Sequence, residues 1–448
     1  MSTLTDQTAA WDATETAARI AAGEVSAAEV VAAAIARARA SSLGAVATED
    51  YDRALAVAGS PSVGPFAGVP TYVKDLEDYE GLPTLFGSAA LTPGPAKATA
   101  PVLQQLLSTG LISLGKSTTA EFGLTATTEP VHGEPTRNPR NQQHSAGGSS
   151  GGAAALVAGG VVPIAQGGDG GGSIRIPAAF CGLVGLKPSR GRLIDLASAN
   201  RMPVKIAVPG VLTRSVRDTA TFFASVDQQN AKLPPVGLVE GPGGRTLRIG
   251  LFVDSPLGTP LHPEIRAAVE RTGAALESFG HSVEPTSAPY GAALAEDFVL
   301  HWALLAMGVE ALVKSSGELD RLEPWTRGLA SHARGNWWKL PGAIWRLRRF
   351  PHKYSRAFDR FDVLLSPTTA QPAPRLGELS AAQSFDEKLP RLLSLLPYTP
   401  VQNAAGAPAI SLPAGTTKGG LPIGVQLAAP LGDERTLLEL AFALEGAG

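Results

Sequence analysis

The stretch 145–192, SAGGSSGGAAALVAGGVVPIAQGGDGGGSIRIPAAFCGLVGLKPSRGR, restricts what this chain can fold into more than any other. Glycine costs backbone entropy on folding and packs little, so a dense cluster implies a backbone that must approach something closely. Two glycine-flanked serines, Ser149 and Ser173, stand inside it. Gly170, Gly171 and Gly172 come directly before Ser173, and a run of N–H groups of this kind makes a nest for an anion or a developing oxyanion. A hydroxyl would then lie beside its own oxyanion hole. A flexible Gly/Ser linker has the same composition, but Ile174, Ile176, Pro177, Phe180 and Leu183 give this flank the character of a core.

Three further blocks stand in order around the stretch: GPFAGVPTYVKD (64–75), LGKSTTAEFGLTATTEPVHGEPTRNP (114–139), and the pair GAPAISLPAG and GLPIGVQLAAP within 406–430. Together with GGSSGG and DGGGSIRIPAAFCGLVGLKPSRGR, these resemble the amidase-signature serine hydrolases, over most of the chain except roughly 230–360. The resemblance implies an α/β fold: a single large domain whose mixed, twisted β-sheet core is covered by helices on both faces. It also implies a triad of Lys74, a bridging Ser149 in a cis peptide, and a nucleophilic Ser173. Gly123, Leu124 and Thr125 align with the segment that lines the acyl pocket. Arg140 stands where many members carry tryptophan, and Gly170 where threonine is common; both departures bear on pocket size or loop flexibility.

The triad has a physical logic. An exposed lysine is protonated at neutral pH, but burial disfavours its charge. A neutral lysine can take a proton relayed by one serine from another, giving a proton path without histidine. Ser150 reads as support within the loop. Asp169 and Arg175 read as groups that hold the glycine loop, as an ion pair. No HExxH and no Cys/His cluster at metal spacing occurs, so no metal or other cofactor is expected. Two short motifs compete. Gly110-LISL-Gly115-Lys116-Ser117 matches the P-loop letter for letter, but its intervening residues are themselves an apolar strand, which leaves Lys116 at a surface turn. Gly147-Gly148-Ser149-Ser150-Gly151 satisfies G-x-S-x-G, but Asn138 to Ala146 reads as polar loop where a nucleophile elbow needs a strand.

Length alone allows several domains, but the blocks run from near 64 to near 430 and argue for one. Within it, 1–60 reads as an N-terminal helical cover and 61–235 as the signature core. An αβ segment (245–296), a helical, Trp-rich excursion (297–361) and a C-terminal return to the sheet (362–448) follow. Asp12 with Glu15 and Ser26 with Glu29 have capping-box spacing ahead of helices over 12–22 and 27–41. The formal charge of −2 gives no reason to expect nucleic acid. The single cysteine, Cys181, cannot pair within the chain and reads as packed core. No signal segment and no apolar run of about 18 residues is seen, so the expectation is a cytoplasmic protein without stable membrane insertion, monomer or homodimer.

The function expected is hydrolysis of a C–N acyl bond (amide, anilide or carbamate) in small hydrophobic or aromatic substrates. The glutaminase subunit of a transamidating complex is the alternative. The segment 334–356, RGNWWKLPGAIWRLRRFPHKYSR, has three readings: a lid over Ser173, a membrane-surface element, or packing.

Overall fold

The computed structural model describes residues 2–227 and 233–446. Strands arise where β-branched and apolar runs fall between turns. A three-stranded sheet holds β1 (Val46–Glu49), β2 (Pro70–Lys74) and β3 (Ile112–Ser117), in the order β1-β3-β2. A two-stranded ribbon pairs β4 (Arg137–Asn138) with β5 (Asn141–Ser145). The main sheet has eight strands: β6 (Ile164–Asp169), β7 (Val184–Lys187), β8 (Val208–Thr213), β9 (Arg248–Leu251), β10 (Ser282–Pro285), β11 (Val363–Pro367), β12 (Ala409–Thr416) and β13 (Pro422–Ala428). Their order is β10-β9-β11-β13-β12-β7-β8-β6, parallel only among β9, β10 and β11.

Successive side chains on a strand point to opposite faces, and this sorts the core. Val363, Leu365, Ile410, Leu412, Val425 and Leu427 share one buried cluster with residues of helices Val216–Val226, Pro263–Ser278 and Glu434–Glu445. On the other face, Ala165 and Leu212 pack with helices Gly151–Ala158 and Arg175–Cys181. Leu364, Ala409 and Ala428 meet helix Leu340–Ser355 there. Gly424 marks how closely the second layer approaches, because a Cβ there would lie 2.4 Å from that of Ala179. The fold is thus a single α/β domain with one large mixed sheet between helical layers.

Helices Ala13–Ala21 and Ala27–Ala40 start where the capping residues predict; Ser26 and Glu29 close a full capping box, whereas Asp12 caps its helix by accepting from the Glu15 N–H without the reciprocal bond. Cys181 is buried, and its thiol is pushed up to about 12 by burial. Two expectations fail. Lys116 is not at a surface turn: β3 continues through it, and its ammonium is buried 3.2 Å from Asp75, donating to the Pro83 carbonyl (2.9 Å) and Thr84 Oγ1 (2.7 Å). The P-loop pattern is therefore strand and contains no phosphate-binding loop. The polar residues before Ala146 are not loop either, because they form the β4–β5 ribbon. Its backbone pairing does not depend on apolar side chains, which is why polarity misled.

Candidate active site

β2 is buried along its whole length and ends in Lys74. The Lys74 N–H donates to Gln166 Oε1 on β6 (2.8 Å), which fixes the strand end against the main sheet. Its Nζ lies 2.7 Å from Ser149 Oγ, 2.9 Å from Ser150 Oγ and 3.3 Å from the Gly168 carbonyl. Burial pushes the ammonium down to about 7, while Asp169 and Glu77 favour its charged form. Ser149 follows a cis peptide bond from Gly148. Ser150 Oγ donates to the Gly168 carbonyl (3.2 Å), and the Ser150 N–H donates to the carbonyl of Ser173 (3.3 Å). The two serine loops are therefore tied to each other as well as to the lysine.

Asp169 ends β6 beneath the glycine loop. Its carboxylate accepts from the N–H groups of Gly172 (2.7 Å) and Ile174 (3.2 Å), from Asn403 Nδ2 (2.9 Å), and from Arg175 through two nitrogens at 2.9 Å. Burial opposes its charge, but the Arg175 guanidinium and these hydrogen bonds hold the carboxyl below the usual range. Arg175 is itself gripped by Gln402, Asn403 and Gln426 from the C-terminal region. The expected Asp169–Arg175 pair is present. The expectation for Gly172 is corrected: its N–H is taken by Asp169, and it does not line the cavity, whereas Gly170, Gly171 and Ser173 do.

That cavity holds about 720 Å³ and brings Lys74, Ser149 and Ser173 together with Gly123, Leu124 and Thr125. Its walls are apolar: Phe86, Phe122, Leu294, Phe298, Trp302 and Leu305. Phe86 and Phe122 stack at 5.5 Å, and both have positive φ. Each precedes a glycine in the sequence, which was the available clue. Helix Ala292–Ser316 supplies more of the wall than any other element. The residues 293–315 of this helix are long and apolar enough to cross a membrane, but Ala303, Ala306 and Val313 are fully buried inside the fold.

The lid reading of 334–356 is overturned. None of Trp337, Trp338 or Trp345 lines the cavity; all three face outward. Arg140 does not line it either, and its Nε reaches the Cys181 carbonyl at 3.5 Å, so this departure leaves pocket size untouched. Among the described residues, no group of three or more His, Cys, Asp and Glu side chains could hold a metal ion, and no histidine hydrogen-bonds Ser149 or Ser173.

Comparison with known proteins identifies the family. The amidase family model matches residues 29–438. AmiC of Mycobacterium tuberculosis (strain ATCC 25618 / H37Rv) is 45% identical over 447 residues, 97% of this chain and 94% of that protein. The structure of 6-aminohexanoate cyclic dimer hydrolase complexed with substrate superposes with a TM-score of 0.90 at 31% identity, covering 98% of this chain and 97% of the other. A bacterial aryl acylamidase gives a TM-score of 0.85 at 28% identity, covering 98% and 96%. The chain therefore belongs to the amidase family, the amidase-signature hydrolases that act on amides.

Proposed function

We propose that this protein hydrolyses amides, anilides or carbamates of small apolar or aromatic compounds through an acyl-enzyme on Ser173. One observation carries the reading: a fully buried lysine whose Nζ sits 2.7 Å from Ser149 Oγ, with its pKa lowered to about 7, at a cavity that also contains Ser173. In this mechanism neutral Lys74 takes the Ser149 proton as Ser149 takes that of Ser173, and Ser173 Oγ bonds to the substrate carbonyl carbon. The N–H groups of Gly170, Gly171 and Ser173 then receive the oxyanion. Lys74 returns its proton through Ser149 to the leaving nitrogen, which is required because an amide anion leaves poorly. Water then cleaves the ester by the reverse relay.

The apolar walls favour hydrophobic groups on both sides of the scissile bond. They disfavour the ammonium and carboxylate of glutamine, and hence the glutaminase reading. Two relatives, named for a 6-aminohexanoate cyclic dimer and for aryl acylamides, support the same substrate class. Labelling with a fluorophosphonate followed by peptide mapping tests the roles. Wild type should label on Ser173 and Ser173→Ala should not label. Loss of labelling in Ser149→Ala, with Ser173→Ala still labelled, would make Ser149 the nucleophile. Ranking kcat/KM over aryl amides, alkyl amides, carbamates and esters then resolves the substrate class.

A further inference from the structure

The molecule presents one surface that the proposed chemistry does not use. Residues 334–356 carry seven Lys/Arg and no Asp/Glu, in a chain whose formal net charge is −2. Helix Leu340–Ser355 turns Ala343, Leu347, Phe350 and Tyr354 inward at three- and four-residue spacing, so its opposite face is turned to solvent. On that face and on the turn before it, Trp337, Trp338 and Trp345 are 67%, 60% and 61% exposed, more than any other aromatic side chain among the described residues. Two of the seven cations are spent within the fold, as Arg334 pairs with Glu310 and Arg346 with Asp297. Lys339, Arg349, Lys353 and Arg356 have no acidic partner among the described residues, and the Arg349 guanidinium stacks over Trp345 at 5.0 Å.

Leaving three tryptophans in water forgoes the hydrophobic stabilisation that most tryptophans obtain. Exposure on this scale, among cations, marks a surface that meets something apolar and anionic. A lipid headgroup layer provides both, since indole rings settle at the membrane interface while Lys and Arg attract anionic lipids. A second copy of the chain fits poorly, because a two-fold contact would set the same cations against themselves.

We propose that the face formed by Trp337, Trp338, Trp345 and the cations Lys339, Arg349 and Lys353 docks this protein peripherally on anionic lipid bilayers. The test uses the full chain with vesicles of phosphatidylglycerol and phosphatidylcholine in equal parts, against vesicles of phosphatidylcholine alone. The protein should co-sediment with the anionic vesicles, with a blue shift of tryptophan emission, and binding should weaken in high salt. Each reversal, Arg349→Glu or Lys353→Glu, should lower the partition coefficient by about ten-fold or more. The double variant Trp337→Ala/Trp338→Ala should lose the blue shift and most of the binding. These side chains lie outside the cavity, so hydrolysis of a small soluble amide, together with Tm, reports that each variant is folded. No binding to anionic vesicles above the phosphatidylcholine level would overturn the proposal. So would binding unchanged in the tryptophan and charge variants, or a concentration-dependent dimer that the same variants abolish. Binding to DNA or heparin without binding to vesicles would assign the surface to a different polyanion and also overturn it.

Discussion

Lys74 carries the chemistry proposed for the site and pays in stability for being there. An amine ordinarily protonated up to 10.5 is held near 7 by burial, so at neutral pH a large share of it is free base. The base form must be neutral, so kcat/KM should rise with pH through about 7 as one proton is lost and then level off. A profile flat from pH 5 to 9 would exclude Lys74 as the base. Stability has the same sign. Between about 7 and 10.5 the unfolded chain binds a proton that the native chain does not, so stability rises with pH across that window. Lys74→Met should therefore abolish hydrolysis while raising unfolding stability at pH 7, by on the order of 1–4 kcal/mol, the range found when buried charges give way to apolar groups. Denaturant melts at pH 7 and pH 9 check this, because the gain should shrink at the higher pH. Gly123 is a second sensitive position. Its φ is +72°, and a Cβ there would sit 3.1 Å from Leu76 Cδ1 and 3.4 Å from Ser149 Oγ. Gly123→Ala should cost stability on the order of 1 kcal/mol through the left-handed backbone. It should also lower kcat more than KM, because the methyl meets the proposed proton relay rather than the outer cavity.

Among the elements, helices Ala292–Ser316 and Leu340–Ser355 divide the tryptophan-rich excursion between two tasks. Trp302 lines the cavity and meets Trp325 edge-on at 5.7 Å, and Trp325 Nε1 donates to the carbonyl of Leu124, one of the pocket residues read from sequence. Phe298 sits one helical turn before Trp302 on the same wall. Phe298→Ala and Trp302→Ala should each lower kcat/KM for anilides of bulky acids by about ten-fold or more, and for acetamide-sized substrates far less. Trp345→Ala should change neither. Equal losses on large and small substrates would mean that the wall only supports the fold. Sequence reading placed the starts of helices Ala13–Ala21 and Ala27–Ala40, because caps are local signals, but it took the β4–β5 ribbon for loop. It also placed Lys74, Ser149 and Ser173 by ordered motifs, and the structure brings all three to one cavity. What it could not give was which face of a helical segment turns inward, since that is decided by distant partners. The same composition that suggested a lid at 334–356 is, in three dimensions, an outer surface. Lys116 was misplaced for a related reason: an ion pair with Asp75, more than forty residues away, makes its burial possible.

Across the whole molecule, the site is held together by groups more than 200 residues apart. Arg175, just after the glycine loop, donates to Asp169 at the end of β6, to Gln402 and Asn403 in helix Pro400–Ala405, and to Gln426 on β13. Asn403 Nδ2 in turn donates to both the carboxylate and the carbonyl of Asp169, and to the Ile206 carbonyl. Asp169 and Arg175 are both fully buried, so neither can be removed without stranding the other. Asp169→Asn leaves a buried guanidinium short of its counter-charge, and Arg175→Met leaves a buried carboxylate; each should cost about 3–5 kcal/mol. The double variant should recover part of that loss, giving a coupling energy of at least about 1 kcal/mol in a denaturation cycle. The carboxyl titrates below the ordinary carboxylate range, and its contribution is lost only as pH falls through that range, so a cycle at pH 7 is free of its titration. Activity separates support of the loop from support of the fold. The double variant should stay far below wild type in kcat even where its stability recovers, because the Gly172 N–H loses the acceptor that orients the loop before Ser173. Recovery of kcat in step with stability would show that the pair serves the fold alone.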